Sequence, residues 1–140
     1  MGKKYDKKPN DQFLSLTPKD NYTYIYDGTL TSKQFIGLSP SAQRLYFACI
    51  SQRRSKTGLA NLHLFNQQHG TDYNEEDGYF TMPNKRIIEY GLKPNTCRTK
   101  SFKELVDAGF IEVAENNRHR KIENIYKLSK AWKKAKWFFC

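Results

Sequence analysis

The 140-residue sequence lacks the patterns that mark several large protein classes. No apolar run approaches the ~18 residues that a bilayer span requires, and the first eleven residues are too charged for a secretory signal. Three cysteines, Cys49, Cys97 and Cys140, lie far apart and form no CxxC pair, which argues against a disulfide framework or a zinc cluster. We therefore expect a cytoplasmic protein without a membrane contact or a bound metal.

Catalytic motifs are also missing. The histidines, His63, His69 and His119, have neither HxxxH nor HExxH spacing, and the sequence contains no GxGxxG, GxxxxGK[ST] or GxSxG motif. The acidic run Asp72–Asp77 lacks the alternating spacing of a calcium loop and is predicted to be a solvated loop. These absences predict a protein that is not an enzyme and that needs no cofactor.

Acidic residues are scarce relative to basic ones. The chain holds 24 Lys and Arg against 14 Asp and Glu, a formal net charge of +10. The excess is concentrated in residues 83–140, which hold 14 basic and 6 acidic residues, whereas residues 1–82 hold 10 and 8. This asymmetry predicts a polyanionic partner, with nucleic acid as the first choice and an acidic membrane surface as the second.

The N-terminal part of the sequence is predicted to contain an arm and one strand. Residues 1–20 are polar and rich in lysine without apolar periodicity, which is typical of a flexible basic arm. Asn21–Asp27 is rich in tyrosine, threonine and isoleucine and precedes a glycine, so it predicts a short strand ending in a turn. We place the folded domain at residues 21–128 and a C-terminal amphipathic helix at residues 129–140.

The first long helix has the clearest local signals. Ser39 suits an N-cap and Pro40 suits the first helical position, where its missing N–H has no cost. An apolar stripe follows from Ala42 to Ile50 at helical spacing, and Gly58 is predicted to end the helix. For Leu59–His69, both a short helix and an irregular insertion stay open.

The second half of the sequence alternates short strands and helices. In order, the patterns predict a strand at Gly78–Met82, a helix from Pro83 to Gly91, a helix from about Asn95 to Ala108, a strand at Phe110–Glu115, an Asn-Asn hairpin turn and a strand at Ile122–Leu128. Together with the first helix, this order is typical of an α+β winged helix-turn-helix. In that fold a recognition helix enters the ~12 Å wide major groove of DNA, and a basic hairpin, the wing, reaches neighbouring phosphates or the minor groove.

Three segments carry a resemblance to a known family. The helix start at Ser39–Phe47, KELVDAGFIE at Lys103–Glu112 and NIYKLS at Asn124–Ser129 resemble winged helix-turn-helix DNA-binding proteins of Gram-positive plasmids and conjugative elements. Similar segments occur in replication-initiator N-terminal domains and in accessory proteins of transfer, and the likeness covers Tyr22–Trp132. The resemblance implies an accessory factor that recognises an origin of transfer or replication on a mobile element. A small transcriptional regulator and an adaptor that binds a relaxase or coupling protein remain alternatives.

The third predicted helix supplies candidate DNA contacts. Its inner face is predicted to hold Phe102, Leu105 and Val106, with Arg98 near that face but long enough to reach outward. The outward arc is then Thr96, Cys97, Lys100, Lys103, Glu104 and Asp107. With the second helix and the wing, where Asn116 is a further candidate, the predicted DNA-binding residues are Lys85, Arg86, Asn95, Thr96, Arg98, Thr99, Lys100, Lys103, Asn117, Arg118, His119, Arg120 and Lys121.

These cations predict the salt dependence of binding. About five to seven phosphate contacts imply a total slope of roughly −5 in log K against log salt, and replacing Arg118 and Arg120 should flatten it by about two. Lys100 and Arg120 are expected to face one common surface. The aromatic residues Trp137, Phe138 and Phe139 exceed what one helical stripe buries and indicate a homodimer contact or a partner site.

Overall fold

The computed structural model describes Leu16 and residues 23–135 of the chain. In chain order the elements are α1 (Asp27–Leu30), α2 (Lys33–Ile36), α3 (Pro40–Arg54), α4 (Lys56–His69), β1 (Tyr79–Phe80), α5 (Asn84–Glu89), α6 (Pro94–Thr96), α7 (Phe102–Asp107), β2 (Ile111–Glu115), β3 (Ile125–Leu128) and α8 (Ala131–Ala135). A π-helical turn, Cys97–Ser101, joins α6 to α7, and a 3-10 turn, Arg118–Arg120, lies between β2 and β3.

The strands form one antiparallel sheet in the order β1-β3-β2. Tyr126 on the central strand β3 lies opposite Phe80 on β1 and opposite Val113 on β2. The register shifts between Val113 and Glu115, and Val113 is 41% exposed although Ile111 on the same strand is buried. The predicted α+β class is therefore confirmed.

The start of α3 follows the predicted capping pattern. The Ser39 hydroxyl accepts the Ala42 N–H at 3.2 Å, and Pro40 occupies the first helical turn. Glu104 of α7 also binds Ser39, accepting its backbone N–H at 2.9 Å and its hydroxyl at 2.7 Å. One serine thus caps α3 and attaches its first turn to the later helix.

Gly58 does not end α3, contrary to the prediction. The helix stops at Arg54, and Ser55 adopts an extended conformation and caps α4, accepting the Gly58 N–H at 3.0 Å. Gly58 is buried in the first turn of α4, where a Cβ atom would lie 1.6 Å from the Gln52 carbonyl oxygen. Its role is to permit close contact between α3 and α4. Of the two interpretations of Leu59–His69, the helical one is correct.

The predicted N-terminal strand is absent from the described part of Asn21–Asp27. Residues 23–26 form no strand, although Tyr26 is extended, and α1 begins at Asp27, whose carbonyl accepts the Thr31 N–H at 2.9 Å. The Asp27-Gly28 pair thus opens a helical turn instead of closing a strand. Residues 21 and 22 lie outside the described residues, as does the predicted arm except for Leu16.

The core lies between α3, the helices of the second half and one face of the sheet. Leu45, Ile87 and Leu105 are completely buried at its centre. The Trp132 ring of α8 stacks on Phe110, with centroids 5.2 Å apart and planes at 17°. Ser129 accepts the Ala131 N–H at 3.1 Å, as expected for the start of the last helix. Residues 136–140 of the predicted helix 129–140, including Trp137, Phe138 and Phe139, lie outside the described residues.

Candidate nucleic-acid interface

A four-residue turn, residues 90–93, joins α5 to the next helix. Gly91 has a φ of 78° and donates its N–H to the Ile88 carbonyl at 2.9 Å. Lys93 is extended and Pro94 occupies the first turn of α6, so the chain restarts as a helix immediately. The predicted end of the helix at Gly91 and the tight turn after it are both confirmed.

The continuous helical segment 94–107, made of α6, the π-helical turn and α7, has a different inner face from the predicted one. Cys97, Ser101, Phe102 and Leu105 are buried, whereas Val106 is 36% exposed. A π-helical turn holds an extra residue and so changes the phase between the first and last turns. The expected exposure of Cys97 is therefore wrong, and burial raises the pKa of its thiol to about 11.

The outer face of segment 94–107 carries several of the predicted residues. Asn95, Thr96, Thr99, Lys100 and Lys103 are all exposed. The Thr99 hydroxyl donates to the Asn95 carbonyl at 3.0 Å, and Lys103 pairs with Asp107 at 2.8 Å, which raises the pKa of Lys103. Within residues 23–135, neither Lys100 nor the exposed Lys85 of α5 has a side-chain partner. These two lysines are therefore available to an external anion.

Arg98 faces inward and does not reach outward as expected. Its Nη2 donates to the Met82 carbonyl at 2.6 Å and to Asn84 Oδ1 at 2.9 Å, and its Nη1 donates to the Tyr126 hydroxyl at 2.9 Å. Its guanidinium carbon also lies 5.7 Å from the centre of the Phe102 ring. Through these hydrogen bonds, Arg98 connects segment 94–107 to α5 and to β3.

Arg86 is likewise engaged inside the protein. It pairs with Glu89 at 3.2 Å, donates to the Ser51 hydroxyl of α3 and lies over the Tyr90 ring, 5.2 Å from its centre. Its side chain is 25% exposed. Arg86 therefore holds α5 against α3, and its predicted role as a DNA contact would require these interactions to break.

The β2–β3 connection, residues 116–124, is longer than the predicted Asn-Asn turn and is called the hairpin loop below. Asn117 is only 2% exposed and donates through Nδ2 to the Glu123 carbonyl at 2.7 Å and to Glu115 at 3.0 Å. Its backbone N–H donates to Asn124 Oδ1 at 2.6 Å. Asn117 thus organises the base of the loop and is not an exposed candidate contact, whereas Asn116 is exposed.

The tip of the hairpin loop presents the basic residues. Arg118, His119, Arg120 and Lys121 are exposed, and Arg120 lies 3.7 Å from Glu115 while donating to Asn117 Oδ1 at 3.2 Å. The other three side chains have no partner among the residues that the structure describes. Lys121 has a φ of 57°, a left-handed conformation that costs a lysine roughly 1–2 kcal/mol. Such strain persists only where neighbouring contacts impose it.

The sequence did not predict a role for Tyr73 or Glu115, which form a hydrogen bond at the base of the hairpin loop. The Tyr73 hydroxyl donates to Glu115 Oε2 at 2.5 Å, and this bond raises the pKa of Tyr73 to about 12. The same bond, with a second from Asn117, lowers the pKa of Glu115. An aromatic residue within the otherwise polar segment 70–78 was the available signal, but nothing local indicates its partner 42 residues away.

The comparisons with protein-family models, curated proteins and solved structures found no match to this chain. None of the helices that the structure describes combines the length and the apolar character needed to cross a membrane. Over the same described residues, no group of three or more His, Cys, Asp or Glu side chains is placed to hold a metal ion. Inferences about function therefore depend on the exposed basic residues of α5, segment 94–107 and the hairpin loop.

Proposed function

We propose that this protein binds double-stranded DNA without catalysis, using a winged helix-turn-helix. In this proposal α5 and segment 94–107 are the helix-turn-helix, and the hairpin loop is the wing. The element order, the short turn at residues 90–93 and the antiparallel β2–β3 pair support it. The observation that carries the proposal is the exposed tip of the hairpin loop, where Arg118, His119 and Lys121 have no partner within the described chain.

The helical contacts in this proposal come from the outer face of segment 94–107. Its N-terminal residues Asn95 and Thr96 are exposed and uncharged, Lys100 follows one turn later, and Asp107 lies at the opposite end. A recognition helix contacts base edges through its N-terminal part. Asp107, at the C-terminal end of segment 94–107, is therefore compatible with DNA binding by this helix. The proposed contact residues are Lys85, Asn95, Thr96, Thr99, Lys100, Lys103, Arg118, His119, Arg120 and Lys121.

Arg86, Arg98 and Asn117 leave the proposed contact set because their side chains already bind other parts of the protein. Of the remaining cations, Lys103 and Arg120 have carboxylate neighbours. About four to six phosphate contacts then remain, which gives a slope of roughly −4 to −5 in log K against log salt.

We further propose, from the family resemblance, that the duplex is a specific origin site on a plasmid or another mobile element.

The test measures binding of a labelled duplex by fluorescence anisotropy between 50 and about 300 mM salt. Arg118→Ala combined with Lys121→Ala removes two tip cations that have no described partner, and it should flatten the salt slope by about two. The matched control, Arg54→Ala with Lys56→Ala at the α3–α4 junction, removes the same charge outside the proposed interface. Equal effects in the two variants, or no salt-dependent binding by the wild type, would overturn the proposal. Undiminished duplex binding by the tip variant would favour the adaptor alternative.

A further inference from the structure

The Tyr126 hydroxyl lies where segment 94–107 meets the base of the hairpin loop. Tyr126 occupies the central strand, is 3% exposed and stacks on Phe102 with centroids 4.5 Å apart. Its hydroxyl oxygen is 2.9 Å from Arg98 Nη1 and 3.3 Å from Asn124 Nδ2. A single buried oxygen therefore contacts one residue of the helix and one residue of the loop.

A chain of hydrogen bonds continues from this oxygen into the hairpin loop. Asn124 Oδ1 accepts the backbone N–H of Asn117, and Asn117 Oδ1 accepts from Arg120 at the tip. In the other direction, Arg98 reaches the Met82 carbonyl and Asn84 at the start of α5. The chain thus joins α5, the helix that carries Lys100 and the loop that carries Arg120.

We propose that the Tyr126 hydroxyl and Arg98 are positioning groups that fix the hairpin loop relative to segment 94–107, so that both contact one duplex together. This inference rests on the proposed DNA binding. Groups fixed before binding lose less conformational freedom when the complex forms, so their contacts contribute more to affinity. A loop released from the helix would still be basic, but its cations would be ordered only on binding.

Burial keeps the Tyr126 hydroxyl in its neutral form. Desolvation raises the pKa of Tyr126, so the phenol keeps its proton throughout the neutral range. The partner guanidinium of Arg98 is held by carbonyl and amide oxygens, with the Asn84 contact at 2.9 Å and the Met82 contact at 2.6 Å. The Tyr126 hydroxyl therefore stays neutral at this junction near physiological pH.

The first test measures amide hydrogen exchange of the free, full-length protein. Tyr126→Phe keeps the ring and its packing on Phe102 but removes the oxygen that joins Arg98 to Asn124. Exchange across residues 116–124 should become about two- to tenfold faster, the effect of losing one net hydrogen bond. The control is Tyr79→Phe on the adjacent strand, whose hydroxyl has no hydrogen-bond partner among the described residues. Unchanged exchange in the loop, or equal acceleration in both variants, would overturn the inference.

The second test is a double-mutant cycle on duplex binding. Tyr126→Phe should reduce affinity about two- to tenfold in the wild-type background, but much less in a protein that already carries Arg118→Ala and Lys121→Ala. A merely destabilising change would give additive losses, and additivity would overturn the inference. If Tyr126→Phe prevents folding, Asn124→Ala breaks the same chain nearer the surface and should give the same non-additivity. Absence of duplex binding by the wild type would instead refute the proposed function, while the exchange experiment would still decide the coupling.

Discussion

The Tyr73 hydroxyl donates a 2.5 Å hydrogen bond to Glu115 and thereby fastens the segment before β1 to the base of the hairpin loop. Both residues are at least partly exposed, so solvent weakens the electrostatic part of this contact. The bond nevertheless moves both pKa values in opposite directions, because it favours the ionised carboxylate and the neutral phenol. The pair therefore makes a contribution to stability that depends on pH at both extremes.

The sign of that dependence follows from the two shifts. The lowered pKa of Glu115 gives stability that is present above its ordinary value and is lost as pH falls through the folded-state pKa. The raised pKa of Tyr73 gives stability that is present below its ordinary value and is lost as pH rises through about 12. We predict that Tyr73→Phe lowers Tm most near neutral pH and that the difference from wild type shrinks below about pH 4. A difference in Tm that is constant from pH 3 to pH 8 would contradict this prediction.

Lys100 and Lys103 provide a comparison of a free cation with a paired one. Lys100 has no partner among residues 23–135, whereas Lys103 already binds Asp107 at 2.8 Å. We predict that Lys100→Ala flattens the salt slope by about 0.9 and that Lys103→Ala has a smaller effect. A loss of ~1–3 kcal/mol confined to a specific duplex would identify Lys100 as a base contact, and equal losses on random duplex would identify a phosphate contact. A larger effect of Lys103→Ala would contradict the assignment.

The parts of the fold that the sequence predicted are those determined by nearby residues. Ser39 and Pro40 predicted the start of α3, and Gly91 predicted the end of the helix before segment 94–107, because capping involves groups within one turn. The strands Phe110–Glu115 and Ile122–Leu128 contain β2 and β3, although β3 begins three residues later. The predicted strand at Asn21–Asp27 is wrong over its described part, because residues 23–26 pair with no strand of the described sheet and α1 begins at Asp27.

The roles that the sequence did not predict depend on residues far away in the chain. The partners of Arg98 are Asn84, Met82 and Tyr126, which are 14, 16 and 28 residues distant, so its inward direction has no local signature. Cys97 faces the core because a π-helical turn changes the phase, and a fixed advance of 100° per residue does not foresee such a turn. Basic composition located the candidate surface, but only tertiary contacts separate free cations from those that support the fold.

Because Lys121 has a left-handed conformation, its replacement by glycine should affect stability and DNA binding differently. Lys121→Gly removes the steric penalty at φ 57° but also raises the conformational entropy of the unfolded chain. The free energy of unfolding should therefore be unchanged or higher by up to about 1 kcal/mol. DNA binding should weaken, with the salt slope flatter by about 0.9. Lys121→Ala is the matched control, since it removes the same charge while keeping the strain. Chemical denaturation that shows the glycine variant to be less stable than the alanine variant would contradict the strain at this position.

Gly58 determines how closely α3 and α4 approach each other. A Cβ atom at this position would lie 1.6 Å from the Gln52 carbonyl oxygen, which is backbone and cannot rotate away. We predict that Gly58→Ala destabilises the protein by about 3 kcal/mol, because the helices must separate and the buried Leu62 and Phe65 lose packing. Gly28→Ala is the control: a Cβ there meets nothing within 4 Å, so the helix-forming residue should be neutral or stabilise by up to ~1 kcal/mol. Urea denaturation of both variants decides the matter, and equal midpoints would show that α3 and α4 do not need the close contact at Gly58.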